Sequence, residues 1–248
     1  MSALRFNTAV LVAASCLAVT AAHADASYQT LPFVLNWSNT ALIASNDNWG
    51  SCPGVMGYRG DNLTTTIGTD PQTILGTSSV VDINANQTNP NTFNTSGVTE
   101  FHLSNPVVAL QGSGTADAPY VQLHVNTAGM HHLTVAYDLR DIDGSNRNAV
   151  QSVALQYRVG TAGNFVNVPS AYVADATTGP SLATLVTAVS VELPAAVDDN
   201  AQVQIRILTT NAANGDEWVG VDNLSVTGSA IPVATNDAAW GTIKSLYR

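Results

Sequence analysis

The residues best suited to chemistry in this sequence are carboxylates gathered in turns. Asp138-Leu139-Arg140-Asp141-Ile142-Asp143-Gly144-Ser145-Asn146 packs three of them into a strand end and the turn after it. Asp216-Glu217 and Asp222-Asn223 form a second group around the last apolar run. Calcium takes hard oxygens from carboxylates, amides and main-chain carbonyls, and turns expose those carbonyls. Asp141, Asp143, Asp216, Glu217 and Asp222 are therefore the candidate ligands of a structural calcium ion. The arrangement is not an EF-hand, because no Glu closes a twelve-residue loop begun at Asp141. Ordinary turn chemistry competes with this reading, since Asp and Asn bond their own backbone in turns. So does pairing across strands with Arg140, Arg158 or Arg206.

Aromatic side chains offer a second chemistry. Planar rings stack on pyranose sugars, and amides and carboxylates beside them supply hydrogen bonds. Trp49 and Tyr58 lie in a polar stretch rich in Asn and Asp, and Trp218 opens the last apolar run. These three are the candidate carbohydrate-binding residues. Trp37 and Trp218 also suit the cap of a core at strand ends.

Catalytic constellations are harder to assemble. The sequence has no Gly-x-Ser-x-Gly elbow. His131 and His132 are adjacent, so on a strand they face opposite ways and cannot chelate one metal. His102 and His124 stand alone, and no His-Glu-x-x-His or clustered Cys/His pattern supports zinc. A glycosidase needs two convergent carboxyls, but Glu192 alternates outward and Glu100 lacks a sequence partner. Gly112-Ser113-Gly114 lacks the Lys and following helix of a phosphate loop. Arg59-Gly60-Asp61 spells a tripeptide read by adhesion receptors, but three residues match too easily by chance to carry a function. No catalytic residue is assigned, and the chain is read as a non-enzyme.

The elements that would position these groups are strands. Val and Thr are abundant, and beyond residue 24 the chain has one Lys, Lys244, and three Glu, Glu100, Glu192 and Glu217. Charged helix formers are thus nearly absent. Val121, Leu123 and Val125 alternate with Gln122 and His124; Leu133, Val135, Tyr137 and Leu139 alternate with Thr134, Ala136 and Asp138. The same period recurs in Val153 to Val159, Leu185 to Leu193 and Val203 to Ile207, with further strands expected near 31–37, 79–83, 98–103, 106–111 and 218–227. Period-2 alternation implies one face in a core and one face wet. About ten such strands without intervening helices imply a β-sandwich. Residues 38–97, rich in Asn, Thr, Gly and Asp, read as long excursions from it.

Charge and targeting bound the function further. Eight Lys+Arg against 18 Asp+Glu give a net charge of −10, the opposite of a basic nucleic-acid binder. Beyond the N-terminus no apolar run reaches the roughly 20 residues of a membrane helix. Arg5 is the only charged residue in the first 24, an apolar run follows from Ala9 to Ala22, and Ala22-His23-Ala24 fits signal-peptidase cleavage. Residues 1–24 are therefore read as a signal peptide, the mature chain as starting at Asp25, and the protein as secreted or on the cell surface. Ala14-Ser15-Cys16 is a degenerate lipobox, but the apolar run continues past it. Cys52 is then the one remaining cysteine and cannot form an internal disulfide. No basic residue flanks it to lower its pKa, so it reads as a passive thiol in a turn, where Ser would cost less than about 1 kcal/mol.

Several stretches resemble a bacterial secreted jelly-roll module of the galactose-binding-like and MAM-like type. They are Tyr58-Arg59-Gly60-Asp61, Asp70-Pro71-Gln72-Thr73, Asn89-Pro90-Asn91-Thr92, residues 108–120, Tyr137 through Asp143, Val153 through Gly160, and Asn211 through Asn223. The module is found beside extracellular endonuclease/exonuclease/phosphatase domains and in surface proteins. The resemblance implies a jelly-roll over residues 25–228, and calcium by analogy with calcium-bearing sandwiches. Residues 229–248 then form a linker and tail; Trp240-Gly241-Thr242-Ile243-Lys244-Ser245-Leu246-Tyr247-Arg248 resembles a C-terminal tail of secreted bacterial proteins. Asp237 as N-cap, with Trp240, Ile243 and Tyr247 at helical spacing, predicts a short helix there. The leading expectation is an exported module binding an extracellular polysaccharide or surface polymer. A structural or adhesive surface protein, or a remnant or partner subunit of a hydrolase, are the alternatives.

Overall fold

A computed structural model describes residues 24–232. The expected signal peptide, up to residue 23, and the expected C-terminal helix lie outside the described residues. The strands are β1 (Gln29–Thr30), β2 (Phe33–Leu35), β3 (Val55–Tyr58), β4 (Asn84–Gln87), β5 (Gly97–Phe101), β6 (Val107–Gln111), β7 (Tyr120–Asn126), β8 (Met130–Asp141), β9 (Val153–Val159), β10 (Val166–Asn167), β11 (Val186–Glu192), β12 (Val203–Thr209) and β13 (Val219–Ala230). One sheet runs β1-β7-β12-β9-β10, with β3 also on β7; the other runs β11-β8-β13-β6-β5-β4, with β2 on β13. Pairing is antiparallel except at β1–β7 and β4–β5. This is the expected all-β jelly-roll sandwich, and β13 extends it to Ala230, past residue 228.

The core follows from the alternation. Val121, Leu123 and Val125, Val203, Ile205 and Ile207, and Val153, Leu155 and Tyr157 of the first sheet meet Leu133, Val135, Tyr137 and Leu139 of the second in one buried cluster. In β13 the inward residues are Val219 and Val221, then Leu224 and Val226, so the inward parity changes midway. A register shift between Asp222 and Ser225 makes this change, with Asn223 at φ 50° as the extra residue. Without that bulge the second half of β13 would turn its apolar side chains to solvent.

The structure departs from the expected wet face in the first sheet. Every residue of β12 is buried, as are Gln122, His124, Gln156 and Arg158 on the same outward face. Residues 70–79 and 161–167 lie over this face: Pro71, Ile74 and Gly76 offer carbonyls to Gln156 and Arg206, and Phe165 lies against two arginines. The polar face is thus an interior lined with hydrogen-bonding groups.

Cys52 lies in a turn, as expected, but it is 2% exposed within the main core. Burial pushes its thiol up to about 12. Serine there would bury a hydroxyl at a cost of about 1–3 kcal/mol, more than the sequence alone implied.

Asp82 is a buried carboxylate on the path from β3 to β4. Its Oδ2 accepts from Val98 N at 2.6 Å, yet burial pushes its pKa up to about 7. A carboxyl raised in the folded state favours the protonated form, so its ionisation erodes stability as pH climbs from the unfolded value toward the folded one. Asp82→Asn keeps an acceptor for Val98 and removes that loss. The variant is expected to match the parent near pH 4 and exceed it at pH 7.5 by on the order of 1–3 kcal/mol. Urea melts at the two pH values check this; a gap that does not widen with pH contradicts it.

Candidate functional site

The covered face of the first sheet opens into a groove of about 650 Å³ whose lining includes Tyr58, Tyr120, Gln122, His124, Arg158 and Gln204. β3, β7, β12 and β9 lie side by side, and their outward residues are set by the same period that sends their valines and leucines inward. Residues 77–79 and 161–163 form part of the wall. Four adjacent strands hold the floor, so its groups are fixed in place before any ligand arrives.

The floor is a connected polar network. Gln122 Nε2 stands 3.0 Å from His124 Nε2, and His124 Nδ1 stands 3.4 Å from Gly54 O. Burial lowers the His124 pKa and keeps the ring neutral at physiological pH. A neutral ring protonated at Nδ1 satisfies both contacts: it donates to Gly54 and accepts from Gln122. Tyr28 meets the His124 ring edge-on at 5.4 Å and accepts a 3.0 Å hydrogen bond from Gln204 Nε2. Gln204 Oε1 accepts from Arg158 Nε at 3.1 Å and also from Nη2. Arg158 Nη1 donates to Gly163 O at 2.8 Å.

Aromatic rings brace one side. Tyr58 and Tyr120 stack with centroids 4.9 Å apart and planes at 25°. Tyr120 is locked in turn by Ser78, whose carbonyl accepts from its hydroxyl at 3.2 Å. Deeper, Arg206 is fully buried; its guanidinium lies 3.9 Å from the Phe165 centroid and 4.9 Å from that of Tyr120. Amides, an imidazole, a guanidinium and phenols side by side can exchange hydrogen bonds with hydroxyl-rich molecules.

Of the aromatics named from sequence, only Tyr58 lines this groove. Trp49 and Trp218 are 0% exposed and offer no ring face to a sugar, which corrects their assignment as binding residues. Trp49 Nε1 donates to Asp82 O at 3.1 Å, and its ring meets Trp37 edge-on in the main core. Trp218 packs against Phe101, 5.0 Å between centroids, in a separate cluster on the outer side of the second sheet. Polar neighbours in sequence signalled exposure, but apolar area drew both rings inward, with a carbonyl for the Trp49 indole N–H and none for that of Trp218. Gln122, His124, Arg158 and Gln204 are not among the binding residues expected from sequence. Their signal was present: polar side chains of one parity on strands that would neighbour one another.

The acidic residues divide. Asp222 is buried and paired with Arg140 Nη1 at 2.9 Å, with Asn105 Nδ2 also at 2.9 Å, so cross-strand pairing accounts for it. Asp216 accepts from Ala212 N at 2.7 Å, and burial raises it to about 6. Asp141 accepts from Thr178 N and Oγ1 at 2.7 and 2.6 Å and from Asp143 N at 3.0 Å. Glu217 Oε2 accepts from Ala149 N at 2.7 Å and Thr177 Oγ1 at 3.0 Å. Two buried oxygens, Asp143 Oδ2 and Glu217 Oε1, have no hydrogen-bond partner. Burial raises the Glu217 pKa, and the charges of Asp141 and Asp143 add to that. Among the described residues no three His, Cys, Asp or Glu side chains form a ready metal cage.

The remaining motif is also structural. Arg59 Nε donates to Asp61 Oδ1 at 2.7 Å, folding the tripeptide on itself. Gly60 has φ +75°, and a Cβ there would stand 1.9 Å from Ala118 O. Only glycine fits against that carbonyl.

Neither a protein-family model nor a curated protein sequence matches this chain. Among solved structures, it is similar to TmCBM61 in complex with β-1,4-galactotriose, at 14% identity and TM-score 0.33, covering 52% of this chain and 74% of that one. It is also similar to CBM28, a non-crystalline cellulose specific carbohydrate-binding module, at 14% identity and TM-score 0.37 over 58% of this chain and 86% of that one. A Stig cyclase, Fisc, from Fischerella sp. TAU aligns at 11% identity and TM-score 0.43 over 81% of this chain and all of that one, 100%.

Proposed function

We propose that this chain is an exported, non-catalytic β-sandwich that binds an extracellular polysaccharide in the groove on its first sheet. One observation carries the reading: a groove of about 650 Å³ whose floor is a rigid network of amide, imidazole, guanidinium and phenol groups. Such a floor suits the dense hydroxyls of a glycan better than an apolar ligand. Tyr58, half-buried beside the groove, supplies the aromatic surface for a sugar ring.

The test is electrophoresis through gels containing soluble polysaccharides, neutral and acidic. At least one polymer is expected to retard the protein, and Tyr58→Ala to weaken retardation about tenfold while circular dichroism stays unchanged. No retardation by any polymer would remove the proposal. Export rests on the n-, h- and c-region order of residues 1–24. Amino-terminal sequencing of secreted protein should begin at Asp25; an intact Met1 or a lipid-modified Cys16 contradicts it. No described helix is long and apolar enough to cross a membrane.

We further propose a structural calcium ion at the acidic end of the sandwich, with Asp143 and Glu217 as its carboxylate ligands. The support is the pair of buried oxygens on Asp143 and Glu217 without a hydrogen-bond donor, the former with only Arg147 Nη1 at 3.9 Å, which a cation would satisfy. Main-chain carbonyls of the surrounding turns would complete the shell.

A further inference from the structure

The groove floor holds a cation with no anion to meet it. Arg158 is 8% exposed, and among the described residues no carboxylate stands within ion-pair distance of it; the pairs present there are those of Arg59, Arg140, Arg147, His102 and His132. The side chains around it are the phenols of Tyr120, Tyr28 and Tyr58 and the guanidinium of Arg206, none of them a carboxylate. A second cation, Arg206, lies on the same sheet face on the neighbouring strand, and both guanidinium carbons sit over the Phe165 ring, at 4.5 and 3.9 Å. Burial holds Arg158 below its usual pKa. A buried charge normally survives only when paired.

The two arginines are not equivalent. Arg206 spends its donors on Gln156, Gly76 and Ile74 and is 0% exposed. Arg158 lines the groove and spends its donors on Gln204 Oε1 and Gly163 O. A guanidinium has five N–H groups. These bonds occupy Nε and one hydrogen on each terminal nitrogen, which leaves one N–H on Nη1 and one on Nη2 without a protein acceptor among the described residues. A planar carboxylate accepts from such a guanidinium in a paired geometry. The other floor groups, Gln122 and neutral His124, add no competing charge. The carboxylate that acts on His124 is Asp25, which is half-exposed and accepts from Ser27 N rather than from the floor. The net charge of −10 does not oppose a local anion strongly, because charges beyond about 8 Å are screened at physiological salt.

Resting on the carbohydrate reading, we infer that the ligand is an acidic polysaccharide, and that a uronic-acid carboxylate pairs with the free N–H edge of Arg158 at the groove floor. Contact is reversible, and no bond is made or broken.

The test uses the mature chain and affinity electrophoresis with polygalacturonate, alginate and hyaluronan, each beside its carboxyl-reduced form. Retardation by at least one acidic polymer is expected, weakened tenfold or more when its carboxyls are reduced. Arg158→Gln should lose that preference, and Arg158→Lys should keep part of it. Equal binding of an acidic polymer and its reduced form by the unaltered protein overturns the inference, whatever the variants do. Binding of neutral polymers alone overturns it while leaving the carbohydrate reading intact. Failure to bind any acidic, reduced or neutral polymer overturns both.

Discussion

Arg206→Ala is expected to destabilise the fold by about 3–5 kcal/mol, the largest effect of any single polar substitution proposed for this chain. The side chain is fully buried and donates to Gln156 Oε1 at 2.7 Å, Gly76 O at 2.6 Å and Ile74 O at 2.6 Å. Two of those acceptors are main-chain carbonyls of the segment that covers the first sheet. Removing the guanidinium leaves three acceptors in a dry space, and an unpaired buried acceptor costs about 1–3 kcal/mol. It also removes the cation between Phe165 and Tyr120. Lysine should rescue little, because a point charge cannot reach three acceptors in a plane. The midpoint of urea unfolding measures the loss. A midpoint shift equivalent to less than about 1 kcal/mol would show that the covering segment is held by other contacts.

Millimolar calcium is expected to raise the melting temperature by about 5–10 °C over chelator-treated protein, if calcium exceeds its Kd about 100-fold. Binding to the folded state alone then adds about 2.7 kcal/mol. The gain comes from Asp143 Oδ2 and Glu217 Oε1, which lie buried without hydrogen-bond donors, Asp143 having only the 3.9 Å contact to Arg147. Glu217→Gln should abolish the response. It should also make the chelator-treated protein more stable than its parent, because a buried charge is removed where no metal compensates it. Asp222→Asn should leave the calcium response in place, since Asp222 is already paired with Arg140. A melting curve indifferent to both calcium and chelator would return the acidic cluster to turn chemistry.

The five alternating runs were legible because a half-buried strand writes its period into the sequence. Two features of the sheets were not. β4, Asn84-Ala85-Asn86-Gln87, has no apolar alternation; Asn84 Nδ2 bonds Thr99 Oγ1 at 3.1 Å and Asn86 N bonds Glu100 Oε2 at 3.0 Å, so side-chain hydrogen bonds hold this edge. The polar parity of β7, β9 and β12 was visible, but alternation distinguishes two faces without saying that the polar one is wet. Whether residues 70–79 fold back over it is decided by partners more than a hundred residues away, as in the bond from Arg206 to Ile74. The same gap hid most of the candidate site. Tyr58 could be named because an aromatic in a polar stretch is conspicuous, whereas Gln122 and Gln204 acquire meaning only as neighbours.

The burial of Cys52 gives the molecule an internal clock. The thiolate attacks an aromatic disulfide reagent and displaces its aromatic thiolate, and a thiol 2% exposed with a pKa near 12 presents almost none. Modification must then wait for the chain to open. When reclosing is fast, the labelling rate relative to an unfolded peptide equals the opening equilibrium constant. Cys52 sits just ahead of β3 at the rim of the first sheet, so its rate times the release of that rim. Comparing it with the global unfolding constant would show whether the β3 edge of the groove floor detaches by itself or only when the whole sandwich comes apart.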